Sequence, residues 1–425
     1  MLIIFIMTKI INFTIILLVV FSSILFFGCS KEKPIIVDDT QATPDGINTI
    51  VDANNQFAFD VYSKLSENNE NDAGNVFFSP YSISTALAMA YEGANGKTAE
   101  EMKEVLYFPE DNLVMKSSFA QLYNLLNKQD KEYKLSTANA LWAQKDYVFL
   151  REYINTVEQY YGGKTTNLDF VNENAKSVKI INEWIEDQTN DRIKGMIPQL
   201  SPLTRLVLTN AIYFKGQWLH EFKKKNTKDM DFKITSDNIV TSSMMYYYDD
   251  KVSFNYAETN KMQILELPYK GEELSMIVFL PKENDMDVLE TSLNVKKLGE
   301  FKSKLHKEDV IIYLPKFTFE TKYSLPETLT SLGMKSAFVS QDADFSGMDG
   351  TKNLFIGDVI HQAFVEVNEE GTEAAAATAI VMEFKSAKQQ EPKIFKADHP
   401  FMFIIQEKST GTILFMGKVV EPTNG

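Results

Sequence analysis

Strand-length runs of β-branched and aromatic residues crowd the second half of the chain: RLVLTNAIYFKGQW at 205–218, MQILELPY at 262–269, LSMIVFLP at 274–281 and VIIYLPKFTFE at 310–320. Such runs suit a pleated, half-buried surface. FMFIIQE and TILFMGKVV flank the turn-like KSTG near the end, the pattern of a hairpin. The first third reads differently. QFAFDVYSKL at 56–65 repeats apolar residues at helical spacing, and SPYSISTALAMAYEGANGKTAEEMKEVL at 79–106 opens on a Ser-Pro helix start. KSVKIINEWIEDQTNDRI at 176–193 is a further amphipathic helix, with Val178, Ile181, Trp184 and Ile185 on one side. Helices first and strands later predict an α+β fold with largely antiparallel sheets.

No Pro/Gly/Ser-rich linker divides residues 50–421 and no internal repeat is present, so one large domain is expected. A 44% hydrophobic, 12% aromatic composition is ample for its core. The net charge of -15 leaves no basic stripe for a phosphate backbone and argues against nucleic acid as a partner.

Cys29 is the single cysteine, which excludes an intramolecular disulfide and a thiolate metal cluster. The apolar segment IINFTIILLVVFSSILFF at 10–27 follows Lys9 and precedes Gly28, Cys29 and the polar KEK. This resembles a bacterial lipoprotein signal, in which cleavage before the cysteine leaves a diacylglycerol thioether on it. Phe26 departs from that pattern, which usually carries leucine there; an uncleaved membrane helix is the alternative, and Met7 is an alternative start. The expected organisation is therefore a signal peptide at 1–28, a tether at 29–49 and one domain at 50–422. An exported chain lipid-anchored at the outer membrane or cell surface follows.

Enzyme chemistry finds little support. His220, His306, His361 and His399 lie outside metal-ligand spacing of one another, and no G-x-S-x-G, H-E-x-x-H or P-loop pattern occurs, so neither metal nor cofactor is expected. DADFSGMDG at 342–350 begins like a calcium loop but offers Asn353 where a bidentate glutamate is needed. His361, beside the strand-like LFIGDVI, reads as a buried, hydrogen-bonded structural residue and not as a catalytic base.

GTEAAAATAIVMEFKS at 371–386 is ambiguous. Its alanines have high helix propensity. Read with period 2, Thr372, Ala374, Ala376, Thr378, Ile380 and Met382 share one face, while Glu373 and Glu383 lie on the other. The first face begins small and uncharged, as a segment sliding between two existing strands requires, and Gly371 can absorb a sharp backbone change.

EVNEEGTEAAAATA from Glu366, with NVFFSPYSISTALAMAYEGANGKTAEEM from Asn75, LTNAIYFKGQW from Leu208 and ADHPFMFIIQEKSTGTILFMGKVVEP from Ala397, resembles the serpin family over nearly all of residues 50–422. The resemblance implies about nine helices, three mostly antiparallel sheets and an exposed reactive-centre loop, here about 369–393. It implies a monomeric suicide-substrate inhibitor of serine proteases, and not an enzyme. The cleaved loop would insert as a central strand and trap the protease as an acyl-enzyme, with a cysteine protease as a further target. A non-inhibitory binding or transport module is the alternative.

Carried onto this sequence, the resemblance makes Glu369, Gly371, Thr372, Ala374, Ala375, Ala376, Ala377 and Thr378 the hinge. Counting from Gly371 makes Lys385–Ser386 the reactive bond, cut by a trypsin-like enzyme; Phe384 and Lys388 are the alternatives to Lys385. Ser79, Ser82, Asn210 and His361 match a buried polar cluster where the sheet opens, and Trp218 the aromatic where the loop begins to insert.

Overall fold

The computed structural model describes residues 36–67, 74–128, 131–372 and 391–422. Among them are ten α-helices, against about nine expected: α1 (Pro44–Glu67), α2 (Pro80–Tyr91), α3 (Gly96–Leu106), α4 (Asn112–Leu126), α5 (Arg151–Tyr161), α6 (Asn174–Gln188), α7 (Met286–Ser292), α8 (Val295–Lys302), α9 (Pro326–Leu332) and α10 (Ser346–Asp349).

Three sheets accompany them. The first runs β12 (Phe317–Ser324), β13 (Ile356–Asn368), β14 (Gly371–Thr372), β4 (Leu206–Gln217), β2 (Tyr133–Gln144) and β3 (Lys164–Leu168). The second runs β1 (Val76–Phe78), β17 (Ile413–Val419), β16 (Phe401–Glu407), β9 (Leu274–Pro281), β8 (Met262–Pro268), β7 (Phe254–Glu258) and β10 (His306–Glu308). The third runs β15 (Lys393–Lys396), β11 (Val310–Pro315), β6 (Ile239–Tyr247) and β5 (Lys228–Lys233). Pairing is antiparallel except for β2 with β3, β4 with β13 and β11 with β15.

Alternation in the central strands creates two cores. Leu206, Leu208, Ile212 and Phe214 of β4 face the main core with the second sheet and α2. Val207 and Ala211, on the opposite face, join Ala138, Ala140 and Trp142 of β2 and Ile360 of β13 beneath α6 and the segment returning from it. Burying β4 on both faces explains why apolar residues follow one another without alternation in Leu206–Leu208 and Ala211–Phe214, on either side of the buried Thr209 and Asn210.

Several expectations need correction. The tether does not extend to residue 49. Val37 is buried, Asp38 N–H donates to the Gln159 carbonyl at 2.8 Å, and Asn124 of α4 exchanges hydrogen bonds with the Val37 backbone. Thr43 then caps α1, its Oγ1 accepting from Gly46 N–H at 3.0 Å, with Pro44 at the first helical position, where its missing N–H costs nothing. The run 310–320 is two strands in different sheets, parted after Pro315, and α6 ends at Gln188 because Asn190 and Asp191 take left-handed conformations. Strand β2, YKLSTANALWAQ, escaped the sequence reading because its polar residues mask the alternation.

Candidate functional site

Strand β13 ends in a tight hairpin. Glu369 and Glu370 form the turn, and Gly371 and Thr372 return antiparallel to β13, with Thr372 opposite Val367. The same two residues pair antiparallel with β4, Gly371 opposite Gln217 and Thr372 opposite Gly216. They form a two-residue wedge. Below it β13 and β4 pair directly, in parallel, from Phe364/Tyr213 down to Ile356/Leu206.

Glycine is required at the tip. Gly371 has φ +153, and a Cβ there would stand 2.0 Å from the Gly216 carbonyl oxygen. Thr372 is 1% exposed, and its hydroxyl meets the Tyr269 hydroxyl at 2.7 Å. Burial pushes the Tyr269 hydroxyl far above the ordinary tyrosine range, so it stays protonated. Trp218 stacks on the Tyr269 ring, centroids 4.6 Å apart and 13° from parallel, while Gly216 leaves room for Phe214 and Tyr269. Trp218 donates its backbone N–H to Glu370 O at 2.9 Å and its indole Nε1–H to Asn368 O at 3.0 Å. It thus holds both sides of the turn.

Both turn carboxylates are buried. Glu369 accepts from the Thr227 hydroxyl at 2.8 Å and pairs with Lys316 Nζ at 3.1 Å. Burial alone would push its carboxyl up, but its own backbone N–H, Thr227 and Lys316 hold it below the usual carboxylate range. Glu370 pairs through Oε1 with Lys224 Nζ at 2.6 Å, and its Oε2 is buried without a hydrogen-bond partner among the described residues. Sequence reasoning missed Tyr269, Thr227, Lys224 and Lys316 because no local pattern links them to partners that lie more than fifty positions on.

A second constellation lies lower in the sheet, where Asn139 of β2, Asn210 of β4, His361 of β13 and Tyr323 of β12 stand in register on four adjacent strands. Ser79 caps α2: its Oγ accepts from Ser82 N–H at 3.2 Å and donates to the Leu414 carbonyl at 2.6 Å. The Ser79 N–H donates to His361 Nε2 at 3.1 Å, which leaves the ring proton on Nδ1, donating to Asn210 Oδ1. Asn210 Nδ2 in turn donates to Ser82 Oγ and Asn139 Oδ1. Burial pushes the His361 imidazole down to about 3, so it is neutral at physiological pH.

Ser79, Ser82, Asn210 and His361 are therefore one buried hydrogen-bonded network, to which the structure adds Asn139, while the Tyr323 ring lies parallel to that of His361 with centroids 6.5 Å apart. Glu369, Gly371, Thr372 and Trp218 gather at the wedge. Ala374, Ala375, Ala376, Ala377, Thr378, the Lys385–Ser386 bond and Cys29 lie outside the described residues.

Residues 52–422 match the family model described as "Serpin (serine protease inhibitor)". The chain belongs to the serpin family. This serpin is 45% identical over 378 residues to an uncharacterised serpin-like protein of Thermococcus kodakarensis, covering 88% of this chain and 86% of that one. It is 42% identical over 378 residues to the leukocyte elastase inhibitor of Xenopus laevis, covering 86% and 97%. Among solved structures, human thyroxine-binding globulin complexed with its hormone superposes with a TM-score of 0.81 at 32% identity, over 89% of this serpin and 100% of that chain. Serpins typically inhibit serine proteases and are not catalytic enzymes, although some are non-inhibitory. The fold is the serpin fold, with its three mostly antiparallel sheets.

Proposed function

We propose that this serpin is a suicide-substrate inhibitor of trypsin-like serine proteases, cut at Lys385–Ser386. The observation that carries the proposal is the wedge. Gly371 and Thr372 already occupy the seam between β13 and β4, so an incoming strand has a nucleus to extend.

Register supplies the rest. Thr372 faces the main core opposite Val367 and Gly216. Continuing that alternation, Ala374, Ala376, Thr378, Ile380 and Met382 would take the buried side and Glu373 and Glu383 the opposite one. Six residues beyond Thr372, Thr378 would arrive between Asn210 and His361. A strand of about 15 residues at ~3.3 Å each spans roughly 50 Å, enough to carry an attached protease across the inhibitor.

The chemistry is half of a proteolytic cycle. The protease serine attacks the Lys385 carbonyl, the peptide bond breaks, and the amine of Ser386 leaves with the proton. An ester joins the protease to Lys385, and insertion must outrun its hydrolysis. A cysteine protease would form the equivalent thioester. The proposal includes export and a lipid anchor on Cys29, which would hold a monomeric inhibitor at a bacterial envelope.

The test is to incubate the chain lacking residues 1–28 with trypsin and combine denaturing electrophoresis with intact-mass analysis. A gel-stable complex and a released peptide beginning at Ser386 are expected. Cleavage at that bond with neither a complex nor a rise in thermal stability would overturn the inhibitory reading in favour of a binding module.

A further inference from the structure

The outer face of the seam is covered. Helix α6 and its return segment lie over Val207 and Ala211 of β4 and Ile360 of β13. On the register above, on which this inference rests, Ala377 and Ala379 would emerge on that face as a strand enters. Small as they are, their backbone still parts β4 from β13 by an added strand, about 4.8 Å. Packing that fits the closed seam cannot fit the opened one unless α6 yields.

Besides the buried Ile181 and Ile185, one contact that holds α6 down is unusual in its chemistry. The ammonium of Lys164, on edge strand β3, stands 5.2 Å from the ring centroid of Trp184 on α6 and 5.4 Å from that of Trp142 on β2. The two indoles meet edge to face at 5.4 Å and 75°. Trp142 Nε1–H donates to Thr209 Oγ1 of β4 at 2.8 Å, next to Asn210. One chain of contacts therefore runs from the sheet edge through α6 to the strand that borders the seam. Among the described residues Lys164 forms no salt bridge, and burial lowers its pKa, so the indole faces are its electrostatic company.

We propose that Lys164 is a positioning residue: its cation–π contacts with Trp142 and Trp184 clamp α6 over the seam and set how fast the sheet admits a strand. The charge, and not the bulk of the side chain, supplies the grip. Lys164→Met keeps the apolar stem and removes the charge, whereas Lys164→Arg keeps both.

The probe is a synthetic peptide of residues 371–384, offered to the intact chain without its first 28 residues, which lie outside the unit formed by residues 36–425. Uptake is followed by native electrophoresis and by the rise in unfolding temperature. Lys164→Met should take up peptide roughly five- to tenfold faster than wild type, the factor expected for losing a partly desolvated cation–π contact. Lys164→Arg should match wild type. Equal rates for Met and wild type overturn the clamp, as does an Arg variant as fast as Met. A wild-type chain and a Met variant that both refuse peptide at every temperature below unfolding also overturn it, because there is then no opening to resist. Since no protease is present, failure of the inhibitory reading would leave this result readable.

Discussion

Thr378→Val isolates the inserted state from the intact one. In the intact chain His361 Nδ1–H donates directly to Asn210 Oδ1 across the β13–β4 pair. A strand placed between them moves their backbones to about 9.6 Å apart, two strand spacings, and that bond cannot survive. If an inserted strand continued the register of Thr372, the hydroxyl of Thr378 would arrive at this level, able to accept from His361 and donate to Asn210. Valine has the same shape without the hydroxyl, so a buried N–H and a buried oxygen would each lose a partner, at about 1–3 kcal/mol apiece. The loop-cleaved form should lose about 2–6 kcal/mol. With an unfolding entropy near 0.8 kcal/mol/K for a domain of this size, its Tm should fall by about 3–8 °C. Calorimetry of intact and cleaved protein, wild type and variant, is the assay, with Thr378→Ser retaining most of the wild-type value. A cleaved variant as stable as cleaved wild type, or an intact variant destabilised equally, would refute the register.

The other predictions concern the wedge, the reactive bond and the polar level. Gly371→Ala would drive a Cβ to 2.0 Å from the Gly216 oxygen at a positive φ, so β14 should leave the seam. Hydrogen exchange at the Trp218 amide, which now bonds Glu370 O, should then accelerate at least tenfold, and unchanged protection would show that the tip tolerates a side chain. Lys385→Ala should abolish complex formation with trypsin; undiminished trapping would move the bond to Lys388, the neighbouring residue that a trypsin-like pocket accepts. His361, held near 3 when folded against about 6.5 unfolded, makes the unfolded state the better proton binder between those values. Its contribution is complete above pH 6.5 and falls as pH drops towards 3, by up to about 1.4 kcal/mol per unit, and His361→Gln should flatten that part of the stability–pH curve. Parallel curves would count against the assignment.

The sheet-forming runs of β4, β8 and β9 and the final hairpin were legible because burial makes them rich in apolar residues over strand-length stretches. Strand β2 was not, because Ser136, Thr137 and Asn139 interrupt its apolar pattern for reasons that appear only once Asn210 stands opposite. The polar cluster was read through its resemblance to a family; Asn139 has the same role and no signature of its own. The start of α1 is signalled by capping alone, since Thr43, Pro44 and Asp45 form a capped N-terminus more than a helical turn before the apolar periodicity of residues 56–65 begins. Lys224 and Lys316 belong to the wedge through pairs separated by more than a hundred residues or by a change of sheet, which propensity cannot encode.

On the proposed mechanism the order of side chains along the loop matters as much as their size. Strand insertion replaces β13–β4 ladder bonds with bonds on both sides of the newcomer, a net gain of about one strand pair at ~1 kcal/mol per bond, against ~1–2 kcal/mol per residue of ordering. Apolar burial must therefore tip the balance. The residues that would enter first on the buried side, Ala374 and Ala376, bring little apolar area but no side-chain entropy to lose, so the seam opens against a minimal steric demand. Ile380 and Met382 would follow opposite Leu208 and Leu206, where each burial contributes about 1.5–3 kcal/mol. The driving force thus arrives late, after Thr378 has replaced the bond that held the sheet shut. A loop graded from small to large starts readily and reverses with difficulty, which a trap that must outrun ester hydrolysis requires.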